Sequence, residues 1–581
     1  MIANVEEIRA DFIKKVGIVW NKSEGEVEDL IKFDPVVRLL FNAIIFQYEG
    51  ILNYHSEFKK EVLTDLGKRL LPDHPVNALP SFGIIKADTS ISDVLKLKND
   101  KTFSTSRKVK DKVVEQKFIP VADTALIPGS LDALIVNNTF IDISAKQKGD
   151  EDYISKLETR EESTLWLGIS IPSNTLNEIE GVTIFIDYDL DTNDNGLFFN
   201  ELSEADWSFS NKKCKATTGF DTEISPMNYS SNSRGYGLVR QRVLDFFRKN
   251  FISLQIGDAS GGVEFSPSLP EDLLLKTKNI VWISARCKAV IPHSFFNDDS
   301  IYLNAFPVMN CTVNEDDLTR NEIVKGIKLE ENESFFSLFD TESIRSDDFV
   351  VRDARYKSFD TKDLVMELRT LSRLFNHSRA LFDKTSNIEE QEMEVFRNFS
   401  DIVSDIDLRN SKKGFTAPFC NIGSKEPVES FKIFKYLTTY GKYGNGGKVG
   451  DSLKYELPGL KAKSIKVLFP FNGGANPVQE EELVDKFRYQ LLTRDRIVTR
   501  QDIKALCYSI YSEANIETVE IEQTTVQGLG IKGLQRALKI SIQLKKTANM
   551  EKSQIDFLKK DLLAQLENKS VGEWAFVVRI D

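Results

Sequence analysis

Histidine is scarce in this chain: there are four among 581 residues, His55, His74, His293 and His377. None forms an HxxxH pair or stands near a cysteine pair, so a zinc site of close sequence spacing is not expected, and each reads as a polar surface or satisfied core residue. The five cysteines, Cys214, Cys287, Cys311, Cys420 and Cys507, are odd in number and widely scattered. That pattern fits reduced, mostly buried thiols better than a disulfide framework. Long apolar runs are also missing. VVRLLFNAIIF from Val36 contains Arg38 and Asn42 and falls short of the roughly 20 residues that a spanning helix needs. The N-terminus carries no apolar core ending in a small-residue cleavage site, so a cytoplasmic chain without direct membrane insertion is expected. No basic stripe occurs either. Lys and Arg number 76 against 88 Asp and Glu, a net charge of -12 that argues against nucleic acid as a partner. A G-x-S-x-G elbow is absent, and carboxylates such as Asp187 and Asp189 are too common on exposed strands to define a glycosidase.

What is present is ample core material. Hydrophobic residues make up 41% and charged residues 28%, with 39 phenylalanines, a globular composition long enough for about three to five domains. The expected architecture is α+β and multidomain. Residues 1–78 read as a helical bundle, because DPVVRLLFNAIIFQYEGILNY opens on Asp34 as a cap and Pro35 at the first helical position. Apolar residues spread around most of that helix, so it needs several neighbours. Residues 79–315 change to a period of two and read as β-rich, with strands in SFGIIKAD, TALIPGSLDALIVNNTFIDIS, EGVTIFIDYDL and KNIVWISARCKAVIP. Residues 316–412 read as a linker and helical hairpin, with Leu364, Leu368, Leu371 and Phe375 on one stripe and Phe396, Phe399, Val403 and Ile406 on the other. A β-rich segment with a glycine-rich loop spans 413–475, and 476–581 reads as a small α/β domain. Within that last segment, Thr499 is placed to accept a bond from the amide of Asp502, and so to start a helix.

Two motifs suggest chemistry and then depart from it. YGKYGNGGKVGDS, from Tyr440, has the glycine content of a phosphate cradle, but Gly447-Lys448 is followed by Val449, and the position five before Gly447 is Lys442 and not glycine. The reading left is a turn at Asn445-Gly446, where positive φ is tolerated. In DLDTNDNGLFFNEL, Asp191, Asn193, Asn195 and Gly196 take the first, third, fifth and sixth positions of a calcium loop. The twelfth is Leu202 in place of a bidentate glutamate, so a polar turn flanked by strands is expected, and no metal or cofactor site is assigned.

FDPVVRLL, the break LLPDHPVNALPSFGIIKA and YLNAFPVMN, in this order across about the first 350 residues, together resemble the TssF family of type VI secretion baseplate subunits. Leu79-Pro80-Ser81 matches the family's Ile-Pro-Ser passage, while Pro72-Asp73-His74 departs from its Leu-Tyr-Pro-His. Leu303, Asn304, Pro307, Val308 and Asn310 fit a Leu-Asn-x-x-Pro-Val-x-Asn pattern. LLTRDRIVTRQDIKALC also looks like a segment of phage-tail wedge proteins related to baseplate J. The resemblance implies a non-enzymatic wedge subunit that assembles with a TssG-like protein and a second copy of itself, around the spike and under the sheath. It further implies contacts with a TssK adaptor, a TssE sheath initiator and a VgrG spike, and docking at the inner membrane through partner complexes. A baseplate J-like wedge protein of a phage tail or extracellular injection system remains an alternative, with a carbohydrate-active enzyme behind it. The partner-interface candidates are Phe41, Ile44, Ile45 and Phe46, which internal packing would equally satisfy, and Arg494, Arg496 and Arg500, which would otherwise be solvated.

Overall fold

The computed structural model describes residues 5–33, most of 78–318 and 432–580, Pro35, Val36 and Leu39, and the strands Lys325–Gly326, Ser334–Leu338, Phe349–Arg352 and Phe419–Ser424. The fold is α+β and multidomain. Two compact units are defined, Met1–His74 with Gln479–Glu517, and Pro75–Val478 with Thr518–Asp581. The division crosses the segment 476–581. Phe41, Ile44, Ile45 and Phe46, the hairpin at 364–406 and all four histidines lie outside the described residues.

In the first unit, the helices Val5–Trp20 and Glu24–Phe33 are separated by a short break. The second helix begins with a capping box. Ser23 N donates to Glu26 Oε2 at 2.9 Å, and Glu26 N donates to Ser23 Oγ at 3.4 Å, satisfying end amides that the helix cannot. The helix Arg500–Tyr511 starts the same way. Asp502 N donates to Thr499 Oγ1 at 3.2 Å and Thr499 N donates to Asp502 Oδ2 at 2.8 Å, the cap expected from the sequence. Its buried face is Ile503, Leu506, Cys507 and Tyr511.

The second unit holds a ten-stranded and a six-stranded sheet among its described residues. The ten-stranded sheet runs from Ile301–Leu303 at one edge, through Gly181–Ile186, Phe251–Ala259 and Thr164–Ser170, to Ile154–Lys156 at the other. Its core includes Leu167, Ile184, Ile252 and Ile283. Here the expected polar turn is corrected. Asn193–Ser203 is an α-helix whose Phe198, Phe199 and Leu202 are fully buried in that core. Leu202, which occupies the place of a calcium-binding glutamate, is a packing residue, and Trp207 Nε1 closes the helix end by donating to Leu202 O at 2.9 Å. The apolar pair FF outweighed the Asp and Asn spacing ahead of it.

The six-stranded sheet places Ala305–Met309 between Lys112–Pro120 and Phe82–Lys86, with Lys466–Asn472 beyond. All five residues of Ala305–Met309 are buried. Pro307 is tolerated in this inner strand because pairing to Lys112–Pro120 covers only Val308 and Met309. The C-terminal helix Lys552–Lys569 packs against the helix Arg234–Phe246. Phe557 joins Phe82, Phe246 and Phe247 in one aromatic cluster, with ring centroids 4.9 to 5.9 Å apart.

Candidate functional site

The stretches Leu79-Pro80-Ser81 and YLNAFPVMN come together in the six-stranded sheet. Phe82 pairs with Met309 and Ile84 with Pro307, and Asn310 N donates to Ser81 O at 2.7 Å. The two asparagines of the second stretch have distinct mechanical roles. Asn304 has φ of 55°, a left-handed conformation that asparagine tolerates better than most residues. Its side chain exchanges two hydrogen bonds with the backbone of Ile127, both 2.9 Å. Asn310 is 1% exposed. Its Nδ2 donates to Lys117 O at 3.0 Å, and its Oδ1 accepts from Tyr440 N at 3.1 Å and Thr439 Oγ1 at 3.3 Å. One buried amide therefore ties three separated segments, the arrangement in which a polar core group is worth its desolvation.

Tyr440 leads into the glycine-rich loop, which bends as expected. The positive φ values fall one residue later than Asn445-Gly446, at Gly446 (116°) and Gly447 (85°), while Asn445 has φ of -67°. Asn445 instead uses its side chain. Nδ2 donates to Gly474 O at 2.8 Å, and Oδ1 accepts from Gly474 N at 2.7 Å. Gln116 Nε2 donates to Tyr443 O at 2.8 Å, and Gly446 and Phe471 exchange backbone bonds of 2.7 and 2.9 Å.

The loop wraps a cation from its own chain. Arg107 Nη1 donates to the carbonyls of Gly444 and Asn445 at 3.4 and 3.3 Å, and the guanidinium carbon lies 5.7 Å from the Phe471 ring centroid. A side chain at Gly447 would collide with Arg107 Nη2. Carbonyls face the bound group here, whereas a phosphate cradle needs amides. Burial lowers the Arg107 pKa, and the charge of Asp451 opposes that shift.

A second polar cluster fastens the C-terminal helix. Arg242 donates to both oxygens of Asp561, at 3.2 and 2.8 Å, and Asp561 is 1% exposed. Lys249 pairs with Glu567 at 2.6 Å. Lys560 Nζ donates to Asn250 Oδ1 at 2.9 Å and sits 4.9, 5.3 and 5.1 Å from the ring centroids of Phe246, Phe247 and Phe469. Burial lowers its pKa to about 8, although nearby Asp187 favours the ammonium form.

Arg494, Arg496 and Arg500 are exposed at a chain reversal in the first unit, where Arg494 and Asp495 have φ of 48° and 61°. Cys287, Cys311 and Cys507 are buried and Cys214 half-buried, all free; burial pushes the Cys287 and Cys507 thiols up to about 12. Such thiols are poor nucleophiles. Asp187 is held above the usual carboxylate range by desolvation, countered by Lys560. Asp189 and Asp191 lie outside the described residues. Among the described residues, no group of three or more His, Cys, Asp or Glu could hold a metal ion, and no helix is long and apolar enough to cross a membrane.

Sheet, junction and clamps define a class, a multidomain α+β protein whose polar side chains serve as joints. Neither a protein-family profile nor a curated protein sequence matches the chain. Solved structures do. A chain from the type VI secretion system TssK-TssF-TssG baseplate subcomplex is similar at 11% identity and TM-score 0.44, with 94% of this chain and 96% of that chain covered. A chain from the baseplate complex of the type VI secretion system is similar at 11% identity and TM-score 0.33, with coverage of 100% and 96%.

Proposed function

We propose that this chain is a structural, non-enzymatic wedge subunit in the baseplate of a type VI secretion machine, assembling with a TssG-like protein and a second copy of itself. The observation that carries the reading is an apolar surface on the first unit. Ile18 is 74% exposed, Val19 80%, Trp20 51% and Phe33 85%, at the C-terminal ends of helices that bury Ile13 and Val27. Leu491, Leu492 and Val498 of the same unit are also exposed. Large apolar side chains gathered in one unit mark a surface that a partner covers. Phe41, Ile44, Ile45 and Phe46, outside the described residues, are proposed as further partner contacts, and Arg494, Arg496 and Arg500 are proposed to pair with acidic groups of the partner. The pairing of the strand after Leu79-Pro80-Ser81 with Ala305–Met309, closed at one end by Asn310 on Ser81 and at the other by Asn304 on Ala87, supports the reading in a second way, because stretches that carry the family resemblance are neighbours in one sheet.

The test is co-purification with a co-expressed TssG-like protein. The unsubstituted protein retains the partner through gel filtration. The combined variant Ile18→Ser, Val19→Ser, Trp20→Ser and Phe33→Ser loses it while keeping the melting transition of the second unit. Retention of the partner by that variant would remove the proposed surface from the interface.

A further inference from the structure

An open cleft of ≈ 530 Å³ lies over the glycine-rich loop, lined by Arg107, Tyr443, Lys448, Asp451 and the backbone of 445–447. Arg107 is half-buried on the strand Phe103–Val109, and only its Nη1 is used within the protein, on the carbonyls of Gly444 and Asn445. Neither Nε nor Nη2 donates to a described residue, and none of the described carboxylates forms an ion pair with Arg107. Asp451 is turned toward its own loop, where Oδ2 accepts from Lys448 N at 2.8 Å. The lining therefore sets two cations, Arg107 and Lys448, against one carboxylate, leaving one positive charge to be matched.

The guanidinium is also held in place. Phe471 lies against one face, the carbonyls of Gly444 and Asn445 bond Nη1, and the lack of a side chain at Gly447 leaves room beside Nη2. A cation fixed in this way has already lost the rotamer freedom that ligand binding otherwise removes. An arginine edge with two parallel N–H groups fits the two oxygens of a carboxylate. A phosphate dianion would bring more charge than the cleft has spare, beside Asp451.

We propose that this cleft binds a carboxylate, supplied by an Asp or Glu side chain of a partner polypeptide, with Arg107 as the bidentate donor and Lys448 as the second charge. The proposal stands apart from the baseplate reading, since it needs only the cleft, and its failure would leave the co-purification test unchanged.

The experiment uses the full chain and fluorescence anisotropy with a labelled, C-terminally amidated hexapeptide, Gly-Ser-Gly-Glu-Gly-Ser, and its Gln counterpart, with sodium acetate as competitor. The Glu peptide binds at least tenfold more tightly than the Gln peptide. Arg107→Gln removes that preference, and Arg107→Lys, which lacks the fork, retains under a tenth of the affinity. Two exposed positions keep the test decisive if Arg107 variants do not fold. Lys448→Gln weakens and Asp451→Asn strengthens binding, each severalfold and in opposite directions. Equal binding of the two peptides, no binding of either, or indifference to both rim substitutions would overturn the proposal. Displacement of the peptide by an equal concentration of acetate would assign the cleft to free carboxylates and overturn the polypeptide source.

Discussion

At the scale of single residues, space and charge decide more than residue type. Gly447 and Gly450 both have positive φ, 85° and 93°, yet a Cβ at Gly447 meets Arg107 while one at Gly450 meets nothing within 4 Å. Gly450→Ala is expected to cost about 1 kcal/mol, from backbone strain alone. Gly447→Ala carries the same strain and also displaces the far end of the Arg107 side chain, and is expected to cost about 1–2 kcal/mol, both read from chemical denaturation. Lys560 offers a test by pH. Its pKa falls from 10.5 to about 8 on folding because burial disfavours the ammonium form. Between those values the unfolded chain binds more protons, so stability from this group rises with pH there, and the full penalty is present below about 8. The stability of the unsubstituted protein relative to Lys560→Met should therefore increase as pH is raised from about 8 toward 10.5. A flat difference across that window would mean that the phenylalanine faces and Asp187 compensate the lost hydration.

At the scale of elements, the C-terminal helix Lys552–Lys569 is held by one nearly inaccessible carboxylate. Asp561→Ala leaves Arg242 without its bidentate partner, an effect of roughly 3–5 kcal/mol for a buried pair, here reduced because Arg242 is 31% exposed. Hydrogen exchange should accelerate along Lys552–Lys569 and leave the ten-stranded sheet unchanged. Uniform acceleration would show that the helix is part of the global unfolding unit. Elements were also the scale at which the sequence was most readable. Alternation placed Phe82–Lys86, Ser130–Val136, Gly181–Ile186 and Ile280–Arg286, and side-chain chemistry placed the Thr499 cap. The helix Asn193–Ser203 departs from the expected turn because acidic and amide residues resemble a turn until the phenylalanines find a sheet. The Ser23-x-x-Glu26 capping box is legible in the sequence by its spacing as well. The junction was legible as motifs but not as mechanics. Arg107 reaches the loop across a sequence separation of 337, and Phe82 pairs with Asn472; nothing in local periodicity encodes such closures.

At the scale of the whole molecule, the most distinctive polar groups among the described residues are spent on internal joints: Asn304, Asn310, Asn445, Arg242 and Asp561. Its second unit is well furnished with core, while its first unit displays Ile18, Val19, Trp20 and Phe33 to solvent. That imbalance is what a subunit made for assembly should show, since an apolar face left open costs about 25 cal/mol per Å² relative to a covered one. Native mass spectrometry of the chain co-expressed with a TssG-like protein tests this most directly. The account predicts one discrete species containing two copies of this chain and one of the partner, and a chain that self-associates when produced alone. A monomer that stays monodisperse and ignores the partner would contradict it.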